Sequence, residues 1–289
     1  MVALIGLISA IIYGASDFFA GLASRRSSAL TVVFFATAVA LVLAAVAVAV
    51  SAPVWSVDAV VFGAIGGLLG AVGSWAFYAS LAIGPMSILS PGVAGVSAII
   101  PAIVGIALGE RLSPIGYLAL VIVLGAAALL SIPREGDSAR VTGRAILLGL
   151  VAAVGYAGYV IAIHRTPSES GLVPLLADLA VATLVFGISM FVTRLRRGSS
   201  SGRGGTHRRP VDRRTVGLIL VTGVSLAVAN ILLVIGLHLG ELVVMSVINA
   251  LYPLGTITLA LIILRERLSW LQITGAALAL AGSVILAVG

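Results

Sequence analysis

Apolar residues occupy this chain in ten long stretches, each near the roughly 20 residues a helix needs to cross a bilayer core. They cover 2–23, 28–50, 59–83, 86–108, 114–132, 144–163, 171–193, 215–237, 241–264 and 270–288. The first has no basic leader of the kind a signal peptide carries, and Arg25-Arg26 follow it as a stop. It therefore reads as a helix. Most connections are short, which makes successive helices antiparallel neighbours. The exception is 194–214, rich in Gly, Ser and Arg, which reads as a flexible basic loop.

Composition narrows the class. The chain is 61% hydrophobic and 9% charged, with a mean hydropathy of +1.23. A soluble domain carries about a quarter charged residues, and this excess of apolar surface has no polar cover. A soluble enzyme and a disordered chain are excluded. With no Cys, so are a disulfide scaffold, an Fe–S cluster and a thiolate zinc site. No cofactor is expected. The fold class is an all-α membrane protein with ten transmembrane helices.

All 17 basic residues other than His are Arg. Ten spans place both termini on one side of the membrane. The loops on that side hold only Arg111 and Arg165, while the opposite side holds the other 15, eight of them in 194–214. By the bias of basic loops toward the cytoplasm, loops 24–27, 133–143 and 194–214 are cytoplasmic and both termini lie outside. The basic loop reads as a topology anchor beside anionic lipid. With no aromatic residue interleaved it does not read as a nucleic-acid surface. The expected partners are the cell-membrane bilayer and a small-molecule substrate.

The chain repeats itself. Glu110-Arg111-Leu112-Ser113 recurs as Glu266-Arg267-Leu268-Ser269, an offset of 156 at which Gly84 meets Gly240 and Ser90 meets Ser246. Nearer the front the offset is 143, matching Gly6 with Gly149, Ala10 with Ala153 and Tyr13 with Tyr156. Two five-helix repeats follow, 1–132 and 144–289, with 133–143 as linker. An odd helix number turns the second upside down relative to the first, an inverted repeat of the kind found in secondary transporters. The Glu-Arg-Leu-Ser tetrads also obey helix grammar: Ser113 precedes Pro114 as an N-cap before a first-turn proline, and Ser269 with Gln272 forms a capping box.

The segment YASLAIGPMSILSPGVAGVSAIIPAIVGIALGERLS at 78–113 and the opening YGASDFFAGLASRR at 13–26 resemble EamA-type transporters of the drug/metabolite transporter superfamily. The resemblance spans essentially the whole chain. It implies export of small metabolites, amino acids or drugs, driven by an ion or substrate gradient, and allows a homodimer.

Candidate site residues follow from the polar groups inside the spans. Pro101 in helix 4 and Pro253 in helix 9 each remove a donor and free the carbonyl four residues earlier, that of Ser97 and of Asn249. Paired broken helices are the best sequence pointer to a binding site, so Pro101 and Pro253 are candidate gates. Packing bends are the plainer alternative. Asp17, with Tyr13 one turn before it, is the acid well inside helix 1, and an intramembrane acid is a functional candidate for proton coupling or substrate contact. The alternative is a carboxylate at the cytoplasmic end, exposed or paired with Arg. Asp178 in helix 7 reads as lining of the outer vestibule, with a substrate cation as the alternative. Trp75 and Tyr78, Tyr156 and Tyr159, Tyr252 and Asn230 offer stacking surface and hydrogen bonds to a cavity, or packing within the bundle. The Gly-rich run 63–73 on helix 3 is a close-packing face. His238, Glu241 and His164 do not make a recognisable metal site, and Glu241 reads instead as a first-turn anion of helix 9. An integral membrane enzyme, or a channel or scaffold subunit, is the alternative function.

Overall fold

The computed structural model describes residues 1–24, 26–83, 86–130, 142–198, 212–264 and 270–288. Their regular structure is helical. The helices are α1 (Val2–Ser24), α2 (Ala29–Ser51), α3 (Val57–Ile83), α4 (Met86–Ala107), α5 (Pro114–Leu130), α6 (Gly143–His164), α7 (Val173–Gly198), α8 (Arg213–Leu239), α9 (Leu242–Asn249), α10 (Pro253–Leu264) and α11 (Trp270–Val288). Among the described residues, six segments are long and apolar enough to cross a membrane: Val2–Ser24, Ala29–Ser51, Val57–Phe77, Gly143–His164, Val173–Thr193 and Arg213–Leu239. The apolar segments Gly92–Ala107, Pro114–Ala126 and Leu242–Thr256 are shorter.

Short polar residues start these helices. Ser28 accepts the Thr31 N–H, Ser56 that of Ala59, Ser113 that of Gly116, Thr142 that of Ala145 and Asp212 that of Thr215. Each satisfies a donor that the first helical turn leaves without a partner. The expected Ser113 cap of the helix opening at Pro114 is present. The second tetrad, at 266–269, lies outside the described residues.

The helices pack through small residues. α3 lies against α6 and α7, α1 against α8 and α10, α2 against α7 and α8, α4 against α6 and α9, and α5 against α11. Alanines at positions 3, 10, 40, 44, 152, 157, 227 and 229 are buried. The glycine run on helix 3 is consumed within the chain. A Cβ on Gly67 would sit 2.8 Å from the Asp178 Cα, and one on Gly155 2.7 Å from the Gly73 Cα. Large apolar side chains such as Val42, Val121, Leu147, Leu184 and Ile262 point outward, where lipid replaces water as the solvent.

The segments between helices gather at two ends. At one end Val54 N–H donates to the Glu169 carbonyl and Ser56 meets Ser170, while His164 bonds the Leu237 carbonyl and His238 bonds Thr166. At the other end Arg26 pairs with Asp212 at 3.2 Å.

The expected single helix over 241–264 is two helices. After Asn249 the chain makes tight turns, with Leu251 N–H on the Ile248 carbonyl, Tyr252 on Asn249, Leu254 on Leu251 and Gly255 on Tyr252. Helical bonding resumes at Pro253, which needs no partner for an N–H it lacks. α4, by contrast, runs unbroken through Pro91 and Pro101. The expected symmetric pair of broken helices is therefore one broken helix facing one continuous one.

Candidate functional site

α1 crosses the α9–α10 break at very close range. A Cβ on Gly14 would collide with the Tyr252 carbonyl and lie 2.8 Å from the Gly255 Cα, while Thr256 Oγ1 donates to the Gly14 carbonyl at 3.0 Å. Backbone against backbone leaves no room to one side and opens space on the other. There the wall comprises Tyr13 and Asp17 on α1, Ser74 and Phe77 on α3, Ser97 on α4, Tyr156 and Tyr159 on α6, Asp178 and Phe186 on α7, Asn230 on α8, and Asn249 and Tyr252 at the break. The cavity is about 200 Å³.

A hydrogen-bonded hub sits at its centre. Asn230 Oδ1 accepts from the Tyr13 hydroxyl and, at 2.9 Å, from the Tyr159 hydroxyl, and Asn230 Nδ2 donates to the Leu226 carbonyl at 2.9 Å. One side chain of α8 thereby ties α1 to α6. Tyr156 reaches Ser74 at 3.4 Å and its ring meets that of Phe77 edge-on. Asp178 is 6% exposed on the same wall as Tyr13, Tyr159 and Asp17. Among the described residues neither carboxylate has a hydrogen-bond or ion-pair partner. Asn249 Oδ1 is buried and unpartnered as well.

Of the residues singled out in the sequence, Tyr13, Asp17, Ser97, Tyr156, Tyr159, Asn230, Asn249 and Tyr252 line this one cavity. Several placements differ from expectation. Trp75 is 61% exposed on the outer face of α3. One residue is about 100° of helix, so Ser74 and Phe77 take the cavity side and Trp75 does not. The Tyr78 side chain lies outside the described residues. Pro101 and Pro253 are not on the wall. Pro253 acts one step removed, by ending α9 where Asn249 and Tyr252 enter the cavity. The Asn249 carbonyl expected to be free accepts the Tyr252 N–H at 3.1 Å, and the open acceptor is its side-chain oxygen. Asp178, expected in an outer vestibule, is part of the buried wall, about one and a half turns into α7. Phe77 and Phe186 were not anticipated, because nothing in an apolar run distinguishes a cavity-facing Phe from a lipid-facing one.

The end opposite Arg26 is sealed. The N-terminus of α9 meets a carboxylate, but not that of Glu241, which makes no cap bond. Glu110, from the turn after α4, accepts the Leu242 N–H at 2.8 Å and the Val243 N–H at 2.9 Å. His164 Nδ1 donates to the Leu237 carbonyl, leaving its Nε2 3.6 Å from Glu110. Thr166 donates to the Ile163 carbonyl, so His238 Nε2–H donates to Thr166. Behind this layer Ile163, Leu175, Leu233, Leu237, Leu242, Met245 and Ile248 are fully buried. Burial and the charge of Glu110 push the Glu241 carboxyl above its ordinary range. The cavity wall extends instead toward the Arg26 end, through Ala20, Val32 and Val33.

Apolar membrane helices around a solute-sized, largely apolar cavity with polar groups set in its wall define a multi-pass membrane protein of the transporter class. A solved crystal structure superposes with a TM-score of 0.74 over 99% of this chain and 96% of its own, at 17% identity, and so shares the fold. No curated protein matches the sequence. The EamA-like transporter family model matches residues 143–288. The chain belongs to the EamA-like transporter family, within the drug/metabolite transporter superfamily.

Proposed function

We propose that this protein is a secondary carrier that exports small organic solutes across the cytoplasmic membrane by alternating access. The observation that carries the reading is the cavity. Its wall draws on α1 to α4 of the first half and α6 to α9 of the second, and it holds two carboxyl groups that have no hydrogen-bond or ion-pair partner among the described residues. A scaffold has no use for two buried acids, which are expensive to keep in a membrane.

Ten crossings in two inverted repeats, 1–132 and 144–289, fit the packing. Exchange α1 for α6, α2 for α7, α3 for α8, α4 for α9–α10 and α5 for α11. The pair α3–α6 then becomes α8–α1, α3–α7 becomes α8–α2, and α4–α6 becomes the contacts of α1 with α9 and α10, while α2–α7 and α5–α11 map onto themselves. The arginine bias puts the Arg26 end in the cytoplasm. The seal over α9 then closes the outer side, and the cavity reaches toward the cytoplasm, ready to load a solute for export.

The test is uptake into everted membrane vesicles. Asp17→Asn is expected to insert and fold normally yet lose coupled flux. Undiminished coupled uptake by that variant removes Asp17 from the cycle, and absence of any gradient-driven flux by the parent protein removes the carrier reading.

A further inference from the structure

The hydrogen-bond bookkeeping of the cavity wall is lopsided. Ser16 donates to the Thr222 carbonyl, Thr37 to Val33, Ser97 to Ala94, Thr222 to Leu218 and Ser246 to Val243. Tyr13 and Tyr159 donate to Asn230, one of whose two amide protons goes to Leu226, and Tyr156 donates to Ser74. A hydroxyl has one proton and two lone pairs. With the protons committed inside the protein, these groups offer the cavity acceptors. The carboxyl groups of Asp17 and Asp178 and the Asn249 Oδ1 add further acceptors, and among the described residues no Arg or His stands on the wall. Asp178 is buried and aimed into this space with no partner of its own among the described residues.

We propose, resting on the carrier reading, that the cavity takes solutes bearing a protonated primary or secondary amine. Such an ammonium presents donors and positive charge to a wall rich in acceptors, with Asp178 as its principal counter-ion. The rings of Phe77, Tyr156 and Phe186 on the wall receive the solute's apolar part. A carboxylate solute would set its charge against two acids and leave the Asn249 Oδ1 without a donor, and an unsatisfied buried acceptor is costly. A neutral alcohol would offer one donor where several acceptors wait. A quaternary ammonium keeps the charge but offers no N–H.

The experiment compares four probes of one skeleton on the purified protein: phenethylammonium, its N,N,N-trimethyl analogue, 2-phenylethanol and phenylacetate. Ligands that bind the folded state raise its unfolding temperature. Phenethylammonium is expected to stabilise at concentrations about tenfold lower than the other three, the loss of one charge-assisted bond being worth about a tenfold change. Asp178→Asn is expected to erase that preference. The proposal is overturned if phenethylammonium gives no stabilisation, or if phenylacetate or 2-phenylethanol matches it. It also falls if Asp178→Asn folds and keeps the preference, while the wild-type comparison decides the matter should that variant not fold. Binding of the ammonium without flux in vesicles would sink the carrier reading alone. Gradient-driven flux of a solute without an amine, with no ammonium binding, would sink this assignment and leave the carrier intact.

Discussion

Glu110 holds the start of α9 from 132 residues away in sequence, and its substitution tests whether the layer over α9 is a working gate. The carboxylate is 15% exposed and accepts two backbone N–H bonds at 2.8 and 2.9 Å. Bonds to a charged group contribute about 1.5–3 kcal/mol each in favourable settings and neutral ones about 0.5–1.5 kcal/mol. Glu110→Gln keeps one acceptor oxygen, loses the charge that favours a helix N-terminus, and turns an amide donor toward a backbone donor. Allowing for partial solvent access, the clamp weakens by about 1–3 kcal/mol. That corresponds to an increase of about 5- to 150-fold in the population with α9 released. The assay is direct because the chain has no Cys. Val243→Cys places a single thiol at a fully buried position beside the clamp, and a membrane-impermeant maleimide reports its exposure. The labelling rate should rise by that same factor of about 5 to 150 in the Glu110→Gln background. If the rate is unchanged while the protein remains folded, Glu110 is not what keeps this end shut.

Further expectations follow from other contacts. Gly14→Val drives a side chain into the backbone of the α9–α10 break, and overpacking of even ordinary cores costs about 1–3 kcal/mol. A variant that purifies with an unchanged unfolding temperature would refute the close crossing. Pro253→Ala restores an N–H at the break, and transport should slow with insertion unaffected, so unaltered kinetics would leave the break without a role. Glu241 carries the opposite pH signature to a stabilising acid. Its folded carboxyl holds a proton more tightly than an unfolded one, so ionisation at neutral pH costs stability. Glu241→Gln should therefore raise the unfolding temperature at neutral pH, with the gain fading as the pH falls into the carboxylate range, and a gain independent of pH would contradict this. Reporter fusions at the C-terminus should show a location outside the cytoplasm, and a cytoplasmic signal would reverse the orientation.

How far the candidate site was legible depends on the kind of residue. Tyr13, Asp17, Asn230 and Asn249 stood out because a polar group in an apolar run has to be satisfied somewhere, and a cavity is one of few places available. Trp75 was misplaced and Phe77 missed for a single reason. Both faces of a membrane helix meet apolar surroundings, lipid on one side and neighbouring helices on the other, so hydrophobicity along the chain does not report how the helix is rotated. Rotation is set by where small residues allow close approach, as at Gly67 against Asp178 or Gly14 against the α9–α10 break. The same packing carries Asp178 into the cavity wall.

By itself the sequence determined the membrane as solvent, the near positions of the helices and the asymmetry of charge, because these depend on residue type and spacing alone. Tertiary structure decided which end is sealed, which of two prolines breaks its helix, and that Glu110 rather than the adjacent Glu241 caps α9. Those outcomes rest on contacts between groups far apart along the chain, such as a carboxylate finding two backbone N–H groups in the other half of the protein, and no local pattern encodes them.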